Sequence, residues 1–164
     1  MKSNILIREI LSSEIYLLED MLYQAIYQSD EKSIIPRSVL KIPEVFAYIK
    51  DFGKRADDHC LVADMDGKII GAVWIRIISG ETKGFGYIDD QTPEFAISLF
   101  KEYRGRSIGT RLMEKMVEYM CKLGYKQASL SVQKENYAVK LYLKMGFKII
   151  WENDEDYLML LDLR

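Results

Sequence analysis

Metal ligands are scarce in this chain: one histidine, His59, and two cysteines, Cys60 and Cys121, stand among 164 residues. The cysteines lack CxxC spacing and a lone histidine cannot complete a usual zinc set with them, so no metal centre is expected. Both cysteines fall in apolar-patterned segments and read as buried, reduced thiols. No apolar run approaches the length of about 20 residues that a membrane-spanning helix needs, so no membrane partner is expected. The start, MKSNILIREI, meets Arg8 and Glu9 before an apolar leader core can form. Export is therefore not expected, and the cytoplasm is the default. An excess of positive charge is also missing, since 23 Lys and Arg face 25 Asp and Glu for a net charge of −2. Nothing draws the whole molecule to nucleic acid, and any anion site must be local.

Internal repeats, low-complexity tracts and Pro/Gly/Ser linkers are absent too, and residues 1–164 read as a single domain. The periodicity predicts a first strand at Ile5 to Arg8, then a helix capped by Ser12 or Ser13 and running to about Gln28. A second helix is predicted from Pro43, with Val45, Phe46, Ile49 and Phe52 as its apolar stripe and Gly53 as its stop. Cys60 to Ala63 and Ile69 to Ile78, joined by Asp66-Gly67, read as a hairpin, and Gly80 to Gly86 as a loop. Glu94 to Phe100 is the next strand. Ile108, Leu112, Met113, Met116, Val117 and Met120 recur at helical spacing until Gly124. Strands follow at Lys126 to Val132, Phe147 to Trp151 and Asp156 to Leu163, with a short helix from Asn136 to Met145.

Between the Glu94 strand and the long helix lies EYRGRSIGTRLM, Glu102 to Met113. A strand, a glycine turn and a helix start together direct unpaired N–H groups and a helix dipole at one point, which suits an anion. Neither a Gly-Lys-Ser/Thr nor a GxGxxG interval is present, so nucleotide and dinucleotide loops of those kinds are excluded. Further on, Asn136, Ala138, Leu141-Tyr142 and Gly146-Phe147 form a second motif.

With both motifs the chain resembles the GNAT superfamily of acyl-CoA-dependent N-acyltransferases. The loop pattern Arg/Gln-x-x-Gly-x-Gly/Ala is matched by Arg104-Gly105-Arg106-Ser107-Ile108-Gly109, except that Ser107 stands at the first glycine. The resemblance implies an α/β (α+β) fold with a mixed, mostly antiparallel sheet of about seven strands and four helices, in the order βααβββαβαββ. It implies acetyl-CoA as cosubstrate, with no metal, and direct transfer to a primary amine. Coenzyme A would be held by the strand residues Ile97, Leu99 and Phe100, by the amides from Arg104 through Gly105, Arg106, Ser107, Ile108 and Gly109 to Thr110, and by Asn136. Arg104 and Arg106 either add charge-assisted contacts or form a solvated rim. If Ser107 is right-handed helical, the serine costs little and its hydroxyl can cap the helix; its place in the first helical turn favours that conformation.

Transfer to an amine needs a base for the ammonium and an acid for the leaving thiolate. The resemblance makes Tyr142 the acid, against its reading as one more core aromatic. Glu94 leads as the base, against a solvent-facing strand entry, with Asp89, Asp90 and Tyr157 as alternatives. The acidic run Glu152 to Asp156 reads first as a solvated hairpin, and Tyr23, Tyr27 and Tyr48 first as packing. A small-molecule amine is the expected acceptor, with a protein N-terminus or lysine as the alternative. A catalytically silent acyl-CoA sensor is the rival from another class, and a homodimer is allowed.

Overall fold

A computed structural model describes residues 4–28 and 34–164. The opening Met1-Lys2-Ser3 weighed in the export argument lies outside the described residues. Seven strands form one sheet: β1 (Ile5–Glu9), β2 (His59–Met65), β3 (Lys68–Arg76), β4 (Glu94–Leu99), β5 (Gln127–Gln133), β6 (Lys148–Glu152) and β7 (Asp156–Asp162). Their order across the sheet is β1-β2-β3-β4-β5-β7-β6, and only β4 and β5 run parallel. Four α-helices accompany them: α1 (Leu18–Ala25), α2 (Pro43–Phe46), α3 (Ile108–Leu123) and α4 (Ala138–Met145). The element order and the mostly antiparallel sheet agree with the sequence expectation.

Period-two alternation divides the core between the two faces of the sheet. Cys60, Val62, Ala72 and Trp74 pack with Leu18, Met21 and Leu22 of α1 on one face. Leu61, Ala63, Val73 and Ile75 pack with Ile108, Leu112, Met116 and Met120 of α3 on the other. The hairpin turn forms as predicted, with Asp66 and Gly67 both at positive φ (51° and 93°). Gly124 at φ 85° closes α3 where the periodic pattern ends.

The segment before β2 departs from its sequence reading. Neither Ser12 nor Ser13 caps the first helix. A 3₁₀ turn over Ser12–Leu17 precedes α1, capped by Leu11, whose N–H donates to the Glu14 carboxylate at 2.8 Å, and α1 itself starts after Leu17. That helix stops at Ala25, short of Gln28. α2 is a single turn instead of a helix reaching Gly53. The carbonyls that would continue it are taken by side chains of β3: Arg76 Nη1 donates to Ala47 O (2.9 Å) and Lys50 O (2.8 Å), and Trp74 Nε1 donates to Tyr48 O (3.1 Å). Arg76 also forms a two-pronged ion pair with Asp58, at 3.0 and 2.9 Å, with both side chains buried. Asp58 in turn accepts from the Gly53 and Arg55 N–H groups. One buried ion pair thus fixes an irregular stretch that amphipathic periodicity alone would have drawn as helix. Cys60 is buried as expected, but Cys121 is exposed, because it faces away from the α3 stripe that packs on the sheet.

Candidate functional site

β4 and β5 share a single ladder pair, Glu94↔Ser129, and then part. Beyond it, the edge of β4 from Phe95 onward has no strand partner on that side among the described residues, so its backbone groups face the gap. Two cavities fill the divergence. The larger, about 890 Å³, is lined by Ile97, Ser98 and Leu99 of β4, by the turn before α3, and by Asn136, Leu141 and Tyr142. The smaller, about 320 Å³, is lined by Phe95 to Ile97 against Leu130 to Gln133, with Tyr27, Tyr48 and Phe85 across from them. Tyr142, Ile97 and Asn136 line both.

At the α3 end, Arg104, Gly105, Ser107, Gly109 and Thr110 all line the larger cavity. The first helical hydrogen bond is Arg111 N–H to Ser107 O, at 3.2 Å. The N–H groups of Ile108, Gly109 and Thr110 precede it and have no helical acceptor. Gly105 (φ 79°) and Ser107 (φ 62°) are left-handed, while Arg106 between them is not. Such alternation turns successive N–H groups toward one side, a concavity that suits an anion at a helix N-terminus.

Ser107 corrects the expectation of a right-handed residue. It is the N-cap, not a member of the first turn, its φ and ψ are 62° and 13°, and its side chain makes no capping bond. A left-handed serine costs about 1–2 kcal/mol relative to glycine's freedom there. The turn from the 3₁₀ segment Lys101–Tyr103 into α3 imposes that conformation.

The arginines of the loop have structural duties. Arg104 donates to Leu99 O (3.0 Å) and Gln24 O (3.2 Å), tying the end of β4 to the end of α1. Arg106 lies over the Tyr103 ring and does not line the cavity. Ile108 and Phe100 have side chains packed into the two core layers, outside the cavity wall. Asn136 Oδ1 accepts from Ala138 N–H at 2.9 Å, opening α4 and setting Tyr142 one turn further along. Tyr142 is 8% exposed, and burial, then the Tyr137 phenol, push its pKa up. It therefore keeps its proton at neutral pH. Ser98, 4% exposed, carries the one buried side-chain oxygen without a hydrogen-bond partner among the described residues, and it lines the larger cavity.

Glu94 is 3% exposed and lines neither cavity, so it is not a solvent-facing strand entry. Its Oε1 accepts from Tyr48 Oη (2.6 Å) and from Gly86 N–H (2.8 Å). Burial raises its pKa, against the lowering effect of those two bonds. The loop Gly84-Phe85-Gly86 lies directly on it: a Cβ at 84 would come within 1.9 Å of Glu94 Oε2. That close approach requires glycine. Tyr48, reached from a segment 46 residues earlier, also accepts from Phe85 N–H at 3.0 Å. Sequence reasoning weighed Tyr48 as packing; the paired glycines at 84 and 86 were the available signal that something lies close beneath.

The other base candidates stand apart. Asp89 Oδ1 binds Gln91 N–H and Thr92 Oγ1, Asp90 accepts from Tyr87, and Tyr157 lies beneath Lys134; none lines a cavity. Residues 152–155 are exposed, and only Asp156 of the acidic run reaches the smaller cavity. No group of three or more His, Cys, Asp or Glu that would hold a metal occurs among the described residues. Nor is any helix among them long and apolar enough to cross a membrane.

Comparison with known proteins agrees with this geometry. Residues 22–147 match the Acetyltransferase (GNAT) family. An uncharacterised N-acetyltransferase of Archaeoglobus fulgidus is 33% identical over 104 residues, 60% of this chain and 65% of its own length. One from Methanocaldococcus jannaschii is 34% identical over 107 residues, 62% of this chain and 44% of its own. The chain thus spans less than two thirds of the curated relatives it matches. Among solved structures, the PaiA N-acetyltransferase of Thermoplasma acidophilum in complex with coenzyme A superposes with a TM-score of 0.68 at 21% identity, over 97% of this chain and 99% of that one. Parted strands, a helix start stripped to its amides, and a family match that spans both motifs lead to one conclusion: this chain belongs to the GNAT acetyltransferase family.

Proposed function

We propose that residues 1–164 form a single N-acetyltransferase domain that moves the acetyl group of acetyl-CoA to a primary amine of a small molecule, by direct attack in a ternary complex. The observation that carries this reading is that Tyr142 lines both cavities, so that one phenol borders the donor side and the acceptor side. The larger cavity suits the donor. The amides of residues 108–110 and the left-handed turn before them fit a diphosphate. The open edge of β4 and the unpartnered Ser98 Oγ fit the amide groups of a pantetheine arm. The neighbour solved with coenzyme A supports the same assignment.

Bound there, acetyl-CoA supplies an activated thioester. Tyr142 protonates the departing sulfur, and the Glu94 side of the cleft receives a proton from the amine. Cys60 is buried in the opposite layer and Cys121 is exposed on α3, so neither is placed to carry the acyl group. The smaller cavity, about 320 Å³ and walled by Tyr27, Tyr48 and Phe85, favours a compact amine over a folded protein surface. Among the described residues Asp156 is the one carboxylate lining it, which favours a cationic acceptor.

The test is amine-dependent release of thiol from acetyl-CoA, across diamines, amino sugars, amino acids and short peptides, with thermal unfolding followed with and without coenzyme A. Turnover with a small amine is the expected result. Turnover confined to peptides would move the acceptor to a protein N-terminus or lysine. Stabilisation by coenzyme A with no turnover on any acceptor would leave a sensor, and no stabilisation at all would defeat both readings.

A further inference from the structure

The acetyltransferase reading leaves open which group touches the amine, and a role for Tyr48 in that contact rests on the same reading. Glu94 carries the carboxylate, yet it is buried beneath Gly84-Phe85-Gly86 and reaches neither cavity. Tyr48 does line the acceptor cavity, and its hydroxyl already donates to Glu94 Oε1 at 2.6 Å. We propose that Tyr48 is a catalytic residue: it takes the proton of the acceptor ammonium while passing its own to Glu94.

The geometry is that of a one-residue proton wire. Tyr48 Oη accepts from Phe85 N–H at 3.0 Å and donates to Glu94, and the nearby Gly86 N–H has its short bond to Glu94 Oε1 at 2.8 Å, which leaves an oxygen lone pair for an ammonium in the cavity. Glu94 Oε1 is held by Gly86 N–H at 2.8 Å, which fixes the receiving atom. Gly86 is itself held, because Ser129 Oγ of β5 donates to its carbonyl at 2.6 Å. On β3, Arg76 stands opposite Glu94, but its guanidinium is committed to Asp58 and to the carbonyls of Ala47 and Lys50. Burial, then the neighbouring Glu94, push the Tyr48 phenol well above its ordinary value, so at rest Tyr48 is a hydroxyl.

An ammonium sheds two protons in becoming an amide. The first passes to Tyr48 Oη as the Tyr48 proton passes to Glu94 Oε1, which frees the nitrogen lone pair to bond the thioester carbonyl carbon. The second leaves the nitrogen as the C–S bond breaks and reprotonates Tyr142, whose own proton goes to the departing sulfur. Glu94 returns its proton through Tyr48 to water once the amide has gone. Nothing is oxidised or reduced.

The experiment measures kcat, KM for acetyl-CoA and the pH profile of the wild type, Tyr48→Phe, Glu94→Gln and the double variant. Each single change is expected to lower kcat near neutral pH by about 100-fold or more, with KM for acetyl-CoA held within about threefold. The double variant should match the worse single, because a wire is broken once. It also serves where Tyr48→Phe alone leaves the buried carboxylate short of a donor. The deficits should shrink as pH rises toward the amine's own pKa of about 10, where solvent supplies the free amine. A packing role would lower the rate equally at every pH. The proposal is overturned if Tyr48→Phe stays within about threefold of wild type while Glu94→Gln is crippled, if the two losses multiply, or if they do not change with pH. Wild type that binds coenzyme A yet turns over no amine overturns the acetyltransferase reading itself, an outcome distinct from all of these.

Discussion

The two sides of the cleft are made of different material. On the α3 side the groups proposed to hold the cofactor are backbone: the amides of Ile108 to Thr110, the left-handed turn at Gly105 and Ser107, and the open edge of β4. Its arginines mostly brace the frame, as Arg104 does at Leu99 and Gln24. On the Glu94 side the groups are side chains from separate segments, Tyr48, Phe85, Glu94 and Asp156, brought together by the sheet and by one buried ion pair. A backbone site tolerates most side-chain changes and answers to backbone conformation. A side-chain site answers to single atoms and to whatever holds its loops.

Variants that separate chemistry from binding should widen that contrast most. Tyr142→Phe is expected to lower kcat by about 10²–10⁴-fold. Calorimetry should find coenzyme A affinity within about twofold of wild type, since the phenol is not among the anchoring groups. A parallel loss of affinity would show that Tyr142 belongs to the binding frame. Next in size, Arg76→Met removes one partner of a fully buried pair and should destabilise the fold by about 3–5 kcal/mol, read by denaturant unfolding. Because Arg76 also holds Ala47 and Lys50, the surviving folded fraction should bind coenzyme A yet lose turnover.

The same division governs what the sequence made legible. A site built on backbone is written as glycine spacing, a helix start and a cap, so the glycine turn before α3, α3 with its glycine stop, and the Asn136 opening of α4 were all readable. Conformation at one residue was not: Ser107 has the composition of a helix N-terminus, and only the turn out of Lys101–Tyr103 requires it to be left-handed. The Glu94 side was half readable. Glu94 could be placed on its strand, but its burial depends on a loop ten residues earlier and on Tyr48, 46 residues away. The predicted second helix failed for a related reason, since its stripe Val45, Phe46, Ile49 and Phe52 is real but Arg76 and Trp74 capture the carbonyls a helix needs. Periodicity reports which faces are apolar and says nothing about a competing donor from another strand.

Smaller changes probe the two sides through backbone alone. Gly84→Ala places a methyl where Glu94 Oε2 lies and should cost about 1–3 kcal/mol in stability, with turnover lost and coenzyme A affinity kept. Unchanged turnover would show that the loop shifts freely and that Glu94 does not depend on it. Ser107→Gly relieves a left-handed serine and should raise stability by about 0.5–1 kcal/mol, the gain being trimmed by glycine's freedom in the unfolded chain. A loss of stability, measured by thermal unfolding, would contradict the left-handed assignment.

The most direct test of the two-sided cleft is a crystal structure of this chain with coenzyme A bound. The account predicts the diphosphate on the amides of Ile108, Gly109 and Thr110, the pantetheine along the open edge of β4, and the thiol about 3–4 Å from Tyr142 Oη. A coenzyme seated elsewhere, or a thiol turned away from Tyr142 and the Tyr48 side of the cleft, would contradict it.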